Sequence, residues 1–377
     1  MNVDATDFRS RFAGLKDMTY LASCSQGALS DELSAALAEF QQSMLDLGNP
    51  WECWAAKVEQ ARVAFAGYIG ASPDEIAIMS CASEGAYQVA SGYDYATRPA
   101  VVTTELEFPS IAHVWLAQRP RGATIRFAPT GDGFADLDGY AATIDDTTAI
   151  VSAPLVTYRH GQRLPVAEIA DVAHANGARM FVDAYQAAGV EPIDVHELRC
   201  DYLVAGTLKY LLGVPGLAFL YVREGVRHDV DPQLTGWFGR RDPFVFNPRE
   251  LDFADTASRF EIGSPSVSAA YGAIAGLTLL AGLDKEVVRD HVADLTAALH
   301  ERLATAGERI ASPPDNARRG PQVAVRDDDP VALAKYLAGR RIITSPRSDI
   351  LRIAVHYYND HEDVETVAAA IADYRAR

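Results

Sequence analysis

The chain has 377 residues, enough for two domains built on one large core, and its 49% hydrophobic and 23% charged content is ordinary for a globular protein. A formal net charge of −17 argues against nucleic acid or an anionic membrane surface as the main partner. The N-terminal MNVDATDFRSRFAGLKD has no apolar run of signal-peptide length and no segment approaches a membrane span, so a cytoplasmic protein is expected.

Residues 1 to 19 read as a short helix and linker. YLASCSQGAL is a strand followed by a turn through Ser25, Gln26 and Gly27, and SDEL then opens a helix with Ser30 as its N-cap. Residues 51 to 70 form an amphipathic helix. DEIAIMSCASEGAYQVASGY follows as strand, turn and helix, and Ala82, Ser83 and Glu84 open that helix. Free backbone N–H groups and a hydroxyl converge there, where an anion binds well, although the same residues also suit simple capping. AVVTTELEFPSIAHVW gives a strand and then Glu107, Phe108, Pro109 and Ser110. By itself Phe108 reads as a core side chain. TIRFAP, TAIVSAP and ARMFVDA continue the strand series, with Tyr158, Arg159 and the helix PVAEIADVAHANG between the last two.

The stretch from Arg179 to Val222 places two charges where core logic does not expect them. MFVDA is a buried strand ending in Asp183, and DYLVAG is a second one after which Lys209 follows within three residues. Both charges sit at strand exits, and in open α/β sheets the crevice beyond those exits binds ligands. Lys209 lies in LKYLLGVPGLAFLYV, where an ammonium is desolvated and its pKa depressed, which suits Schiff-base chemistry. The plain alternative is a helix-capping Asp and a snorkelling Lys. From about residue 280, helices alternate with the short strands QVAVR and ILRIAVH, a smaller α+β pattern. This divides the chain into residues 17–279 and residues 280–377 with 1–16. Arg352 alternates with Leu351 and Ile353 on an otherwise apolar strand, where a guanidinium either grips a carboxylate or forms a structural ion pair. Cys24, Cys53, Cys81 and Cys200 have no metal-ligand spacing, the histidines form no ligand set, and no metal is expected.

The VDAYQ turn with Asp183 and Gln186, followed one αβ unit later by Lys209, resembles the class V branch of the fold-type I pyridoxal 5′-phosphate enzymes. That group includes cysteine desulfurases, kynureninases, isopenicillin N epimerase-like proteins and several lyases. The resemblance implies an α/β large domain with a mostly parallel seven-stranded sheet flanked by helices, and a smaller C-terminal domain. It implies that Lys209 carries the cofactor, that Asp183 pairs with the pyridine nitrogen, and that Gln186 lies near the phenolic oxygen. Ala82 and Ser83 occupy the family's phosphate turn, Thr207 is a further phosphate donor, and Phe108 takes the stacking position. Ser264, in RFEIGSP, matches a residue that reaches the phosphate of the neighbouring subunit, so a homodimer with shared sites is implied. Arg352 is the expected grip for the α-carboxylate of an amino-acid substrate, with Gln26, Tyr158, Arg159 and Trp237 as further substrate contacts.

Two departures from the family bear on the reaction. Leu208 and Gly206 replace the histidine and serine that often precede the lysine, and GRRIITSPRSDILR, just ahead of Arg352, has no cysteine. A desulfurase needs a thiolate there, so that reading is disfavoured. The first expectation is β-elimination across the C–S bond of a cysteine conjugate, in a secondary-metabolite pathway. A class V aminotransferase, a decarboxylating or deaminating enzyme, a kynureninase-like hydrolase and an epimerase stay open. A non-enzymatic binding module on the same fold predicts loss of Lys209 or Arg352, and both are present.

Overall fold

The computed structural model describes residues 3–377. The chain begins with α1 (Ala5–Ser10), β1 (Thr19–Tyr20), α2 (Asp31–Leu47) and α3 (Trp51–Ile69). Ser30 caps α2 as its sequence suggests, accepting from the Leu33 N–H at 3.0 Å. An α/β series follows: β2 (Ile76–Met79), α4 (Ala82–Gly92), β3 (Ala100–Thr104), α5 (Pro109–Leu116), β4 (Thr124–Ala128), α6 (Leu137–Thr143) and β5 (Thr148–Pro154). It continues through α7 (Val166–Ala175), β6 (Arg179–Asp183), α8 (Val195–Leu198), β7 (Tyr202–Gly206) and β8 (Ala218–Val222).

Strands β2 to β8 form one seven-stranded sheet in the order β2-β8-β7-β6-β5-β3-β4, parallel except that β8 runs against both of its neighbours. Its inner strands read as unbroken apolar runs because helices cover both faces. Phe181, Tyr202 and Val204 pack on one face with Val89 of α4 and Trp115 of α5. Met180, Val182 and Leu203 point to the other face and join Phe65 of α3 and Ile169 of α7. The alternation along β6 and β7 therefore fixes the three-layer architecture.

The remaining elements are α9 (Val267–Ala281), α10 (Lys285–Thr305), β9 (Gln322–Arg326), α11 (Pro330–Ala338), β10 (Ile342–Ile343), β11 (Ser345–Arg347), β12 (Ile350–Ala354) and α12 (His361–Arg375). A second sheet has the antiparallel order β11-β12-β9. The N-terminus ties back to this part of the chain. β1 pairs with β10, the Ala354 N–H donates to the Leu21 carbonyl at 2.8 Å, and Arg9 holds Asp363 at 2.7 Å. Phe8 packs against Tyr357 at 5.5 Å between ring centroids. Among the described residues no single helix is long and apolar enough to cross a membrane.

This topology builds one edge. Pro154 of β5 lies opposite Asp183 of β6, and Asp183 lies opposite Val204 of β7, so three parallel strands end together. β2 and β3 run in the same direction and deliver the starts of α4 and α5 to that edge. The β11–β12 hairpin approaches it from the second sheet, since Arg352 of β12 donates to the Tyr158 carbonyl in the loop after β5.

Candidate active site

A cavity of about 370 Å³ opens at this edge. Lys209, Asp183, Gln186, Phe108, Ala82, Ser83, Tyr158 and Arg352 all line it, so most of the residues expected from the sequence come together.

Lys209 sits in the loop after β7. Its Nζ lies 4.3 Å from the centroid of the Tyr185 ring and 5.4 Å from that of Phe108. Packing of protein atoms around the amine desolvates it and pushes its pKa down to about 8, against the pull of Asp183, so roughly a tenth of it is neutral near neutral pH, far more than for an ordinary lysine. The loop is held from the other side of the chain. The Gly27 N–H donates to the Leu208 carbonyl at 2.9 Å, and a Cβ on Gly27 would collide with the Lys209 carbonyl, so only glycine allows this approach.

Asp183 is 6% exposed and accepts from the Tyr185 N–H at 2.8 Å. Beside it lies Glu107, 2% exposed, which accepts from the Phe108 N–H at 2.8 Å. The two carboxyl groups are hydrogen-bonded to each other, and burial pushes both pKa values up, Glu107 well above the carboxylate range. Two anions this close cannot both persist in a dry site. Glu107 keeps the proton and donates it to Asp183, which Lys209 and the Tyr185 N–H hold as the anion.

Phe108 and Tyr185 flank the lysine amine as two aromatic surfaces, with Tyr158 edge-on to Phe108 at 5.1 Å. Tyr185 packs over the bare Cα of Gly206, where any Cβ would fall inside its ring. Gln186 donates from Nε2 to the Cys24 carbonyl at 3.1 Å and leaves its buried Oε1 without a partner among the described residues. At the start of α4, Cys81 offers no side-chain cap, and Glu84 turns back to accept from the Ser80 N–H at 2.8 Å. The first-turn N–H groups of Ala82 and Ser83 thus stay available beside the cavity. Arg352 is 1% exposed, and its hydrogen bonds go to the Ser345 hydroxyl at 2.7 Å, the Tyr158 carbonyl at 3.0 Å and the Ser345 carbonyl at 3.4 Å.

Several expected contacts are not in this lining. The Thr207 hydroxyl, expected at the phosphate, donates to the carbonyls of Val214 at 2.6 Å and Leu217 at 3.1 Å and closes its own loop instead. Gln26 is exposed, and its backbone carbonyl accepts from the Tyr20 hydroxyl at 3.0 Å, while its neighbours Cys24 and Ser25 line the cavity. Arg159 is drawn away by an ion pair with Asp349. Trp237 joins an exposed aromatic cluster with Trp51, Phe244 and Phe246. Ser264 is exposed and outside the lining, and its expected role concerns a neighbouring subunit.

Other lining residues were not singled out from the sequence as site residues: Glu107, Tyr185, Arg347, Cys24, Cys81 and Ser110. Glu107 and Tyr185 carry a usable signal, since both lie within three residues of a strand exit. Among the described residues no group of three His, Cys, Asp or Glu is placed to hold a metal ion.

The donor set fits pyridoxal 5′-phosphate. Lys209 supplies the amine, Phe108 and Tyr185 the surfaces for a flat ring, Asp183 an anion for a ring nitrogen, and Gln186 an amide with one atom unsatisfied. The start of α4 supplies N–H groups suited to a phosphate.

Comparison with known proteins agrees. The model of the family described as aminotransferase class-V matches residues 30–367. An uncharacterized aminotransferase of Bacillus subtilis (strain 168), YcbU, is 38% identical over 97% of this chain and 96% of its own length. The kynureninase of Xanthomonas campestris pv. campestris (strain 8004) is 30% identical over 84% of this chain and 82% of its own. The apo structure of a cysteine desulfurase from Thermococcus onnurineus NA1 superposes with a TM-score of 0.88 at 22% identity, covering 98% of this chain and 97% of that one. By the extent of the family match and its identity to YcbU, this chain belongs to the class-V aminotransferase family and is a pyridoxal-phosphate-dependent enzyme of the fold-type I architecture.

Proposed function

We propose that the enzyme catalyses β-elimination on an L-amino acid carrying a sulfur leaving group at Cβ, a cysteine conjugate. The observation that carries this reading is a single amine base in a cavity whose lining contains no histidine. Bound pyridoxal phosphate supplies the electron sink that lets a proton leave Cα. Lys209, with a pKa near 8, takes up that proton as general base. Arg352 binds the α-carboxylate with donors that now reach only neutral oxygens. Asp183, kept anionic by the Glu107 proton, holds a positive charge at a ring nitrogen. The sulfur departs from Cβ with its bonding pair, and the remaining three-carbon unit hydrolyses to pyruvate and ammonia. Two-base epimerisation has no second amine or imidazole in this lining. Desulfuration has no thiol on the segment ahead of Arg352, and Cys24 and Cys81 enter the cavity from other loops.

A second reading, transamination, is favoured by the 38% identity to YcbU, which is named an aminotransferase. It uses the same lysine and the same carboxylate grip. Incubation with S-alkyl-L-cysteines separates the two. The elimination reading expects equimolar thiol and pyruvate with no added keto acid, both lost in Lys209→Ala. Accumulation of the pyridoxamine form, discharged by a keto acid and without pyruvate, replaces it with transamination. We also propose that the protein works in the cytoplasm and as a homodimer, the latter as the family resemblance implies.

A further inference from the structure

Two guanidinium groups share one face of the β11–β12 hairpin. Ser345 pairs with Arg352 and Arg347 pairs with Ile350, and side chains at alternate and at directly opposed positions point the same way. Arg347 and Arg352 are therefore diagonal neighbours, with positions about 7–8 Å apart. Both line the Lys209 cavity.

Neither has an acid to neutralise it among the described residues. Arg352 gives its hydrogen bonds to neutral oxygens. Arg347 has one, from Nη1 to the Pro346 carbonyl at 2.9 Å. An acid does lie in the same turn, but Asp349 is committed elsewhere: one oxygen pairs with Arg159 and the other with Arg326 at 2.9 Å. Arg347 is exposed at the cavity, and partial burial together with the positive charge of Arg352 lowers its pKa, against the pull of Cys24 and Tyr158, so an anion placed between the two guanidinium groups would favour both charges. A single α-carboxylate satisfies Arg352 and leaves the other guanidinium unanswered. A cofactor phosphate has its own donors at the start of α4.

We propose that Arg347 reads a second acidic group, so that the substrate is an L-amino acid with a carboxylate on its side chain. This rests on the reading in which Arg352 takes the α-carboxylate, and within β-elimination it names an S-carboxyalkyl cysteine. The hairpin then measures the substrate, one guanidinium for each of its acids.

The test is a stopped-flow absorbance titration of the cofactor-loaded enzyme with ligand pairs that differ only in charge. The pairs are L-aspartate against L-asparagine and S-carboxymethyl-L-cysteine against S-carbamoylmethyl-L-cysteine. The acid of each pair is expected to bind about tenfold or more tightly than its amide, as one charge-assisted contact allows. In Arg347→Met that ratio falls to about one, and Arg347→Lys restores part of it. No preference in the wild-type enzyme overturns the proposal. So does an equal loss for acid and amide in Arg347→Met, which would make Arg347 a second grip on the α-carboxylate, and so does a loss of cofactor affinity. Pyruvate is measured in parallel. Selective binding without pyruvate sinks the elimination reading and keeps this one, whereas pyruvate without selectivity does the reverse.

Discussion

Removal from water shifts Lys209 and Glu107 in opposite directions, the lysine pKa down and the carboxyl pKa up, because burial disfavours whichever form is charged. For the lysine this has a measurable sign. The folded pKa is about 8, below the ordinary 10.5, so below pH 8 both folded and unfolded chains carry the proton and the folded state bears the whole desolvation penalty. Between 8 and 10.5 the unfolded chain binds a proton that the folded chain lacks, and stability rises with pH. Cofactor-free Lys209→Met is therefore expected to unfold at higher urea than the wild type at pH 7, with the gap closing by pH 10. Urea midpoints at the two pH values check this, and a gap independent of pH would mean that the amine is not desolvated. Glu107 shows the other half of the logic. A neutral acid beside Asp183 lets one negative charge survive in a dry site, where two would drive each other to protonate.

At the scale of elements, the site exists because β2, β3, β5, β6 and β7 all end on one side while the antiparallel β8 carries the chain away. The phosphate end depends on one helix. α4 starts with an uncapped N-terminus, and its macrodipole and free N–H groups favour an anion. Ser83→Ala removes the hydroxyl at that end and is expected to weaken pyridoxal phosphate binding about tenfold to a hundredfold, the worth of one hydrogen bond to a charged group. Pyridoxal, which lacks the phosphate, should then lose its disadvantage in proportion. Equilibrium dialysis of both compounds decides it, and equal weakening of the two would place Ser83 elsewhere than at the phosphate. The strands at 148–154, 179–183 and 202–206 were legible as apolar runs, and Asp183 and Lys209 stood out because charges at the ends of such runs need a reason. The Ser30 cap was legible because capping is local. What the sequence hid was the partner that each side chain takes once the chain folds. Arg159 reads as a substrate contact until Asp349 takes it, Thr207 reads as a phosphate donor until its own loop folds back, and Arg347 carries no signal until the hairpin aligns it with Arg352.

For the whole molecule, the exposed apolar surface points to the association proposed above. Trp237 sits 5.9 Å from Phe246, 6.0 Å from Phe244 and 6.3 Å from Trp51, and this cluster continues through Trp54 to Phe40. Phe246 is 76% and Phe244 64% exposed, more large aromatic surface than a solitary chain normally leaves to water. Exposed aromatics of this kind anchor interfaces, where truncating one typically costs about 2 kcal/mol or more. If this cluster is the contact between two copies, placing charges in it should separate them. Phe244→Asp with Phe246→Asp is expected to shift the protein from dimer to monomer at micromolar concentration in sedimentation velocity. Ser264→Ala should leave the dimer intact and lower cofactor affinity alone, because its hydroxyl would act across the contact rather than hold it. The double variant should lower cofactor affinity as well, since its monomers lack the neighbour's Ser264. A double variant that stays dimeric would assign the aromatic cluster to some other partner, and a wild-type monomer, or unchanged cofactor affinity in Ser264→Ala, would remove Ser264 from the site.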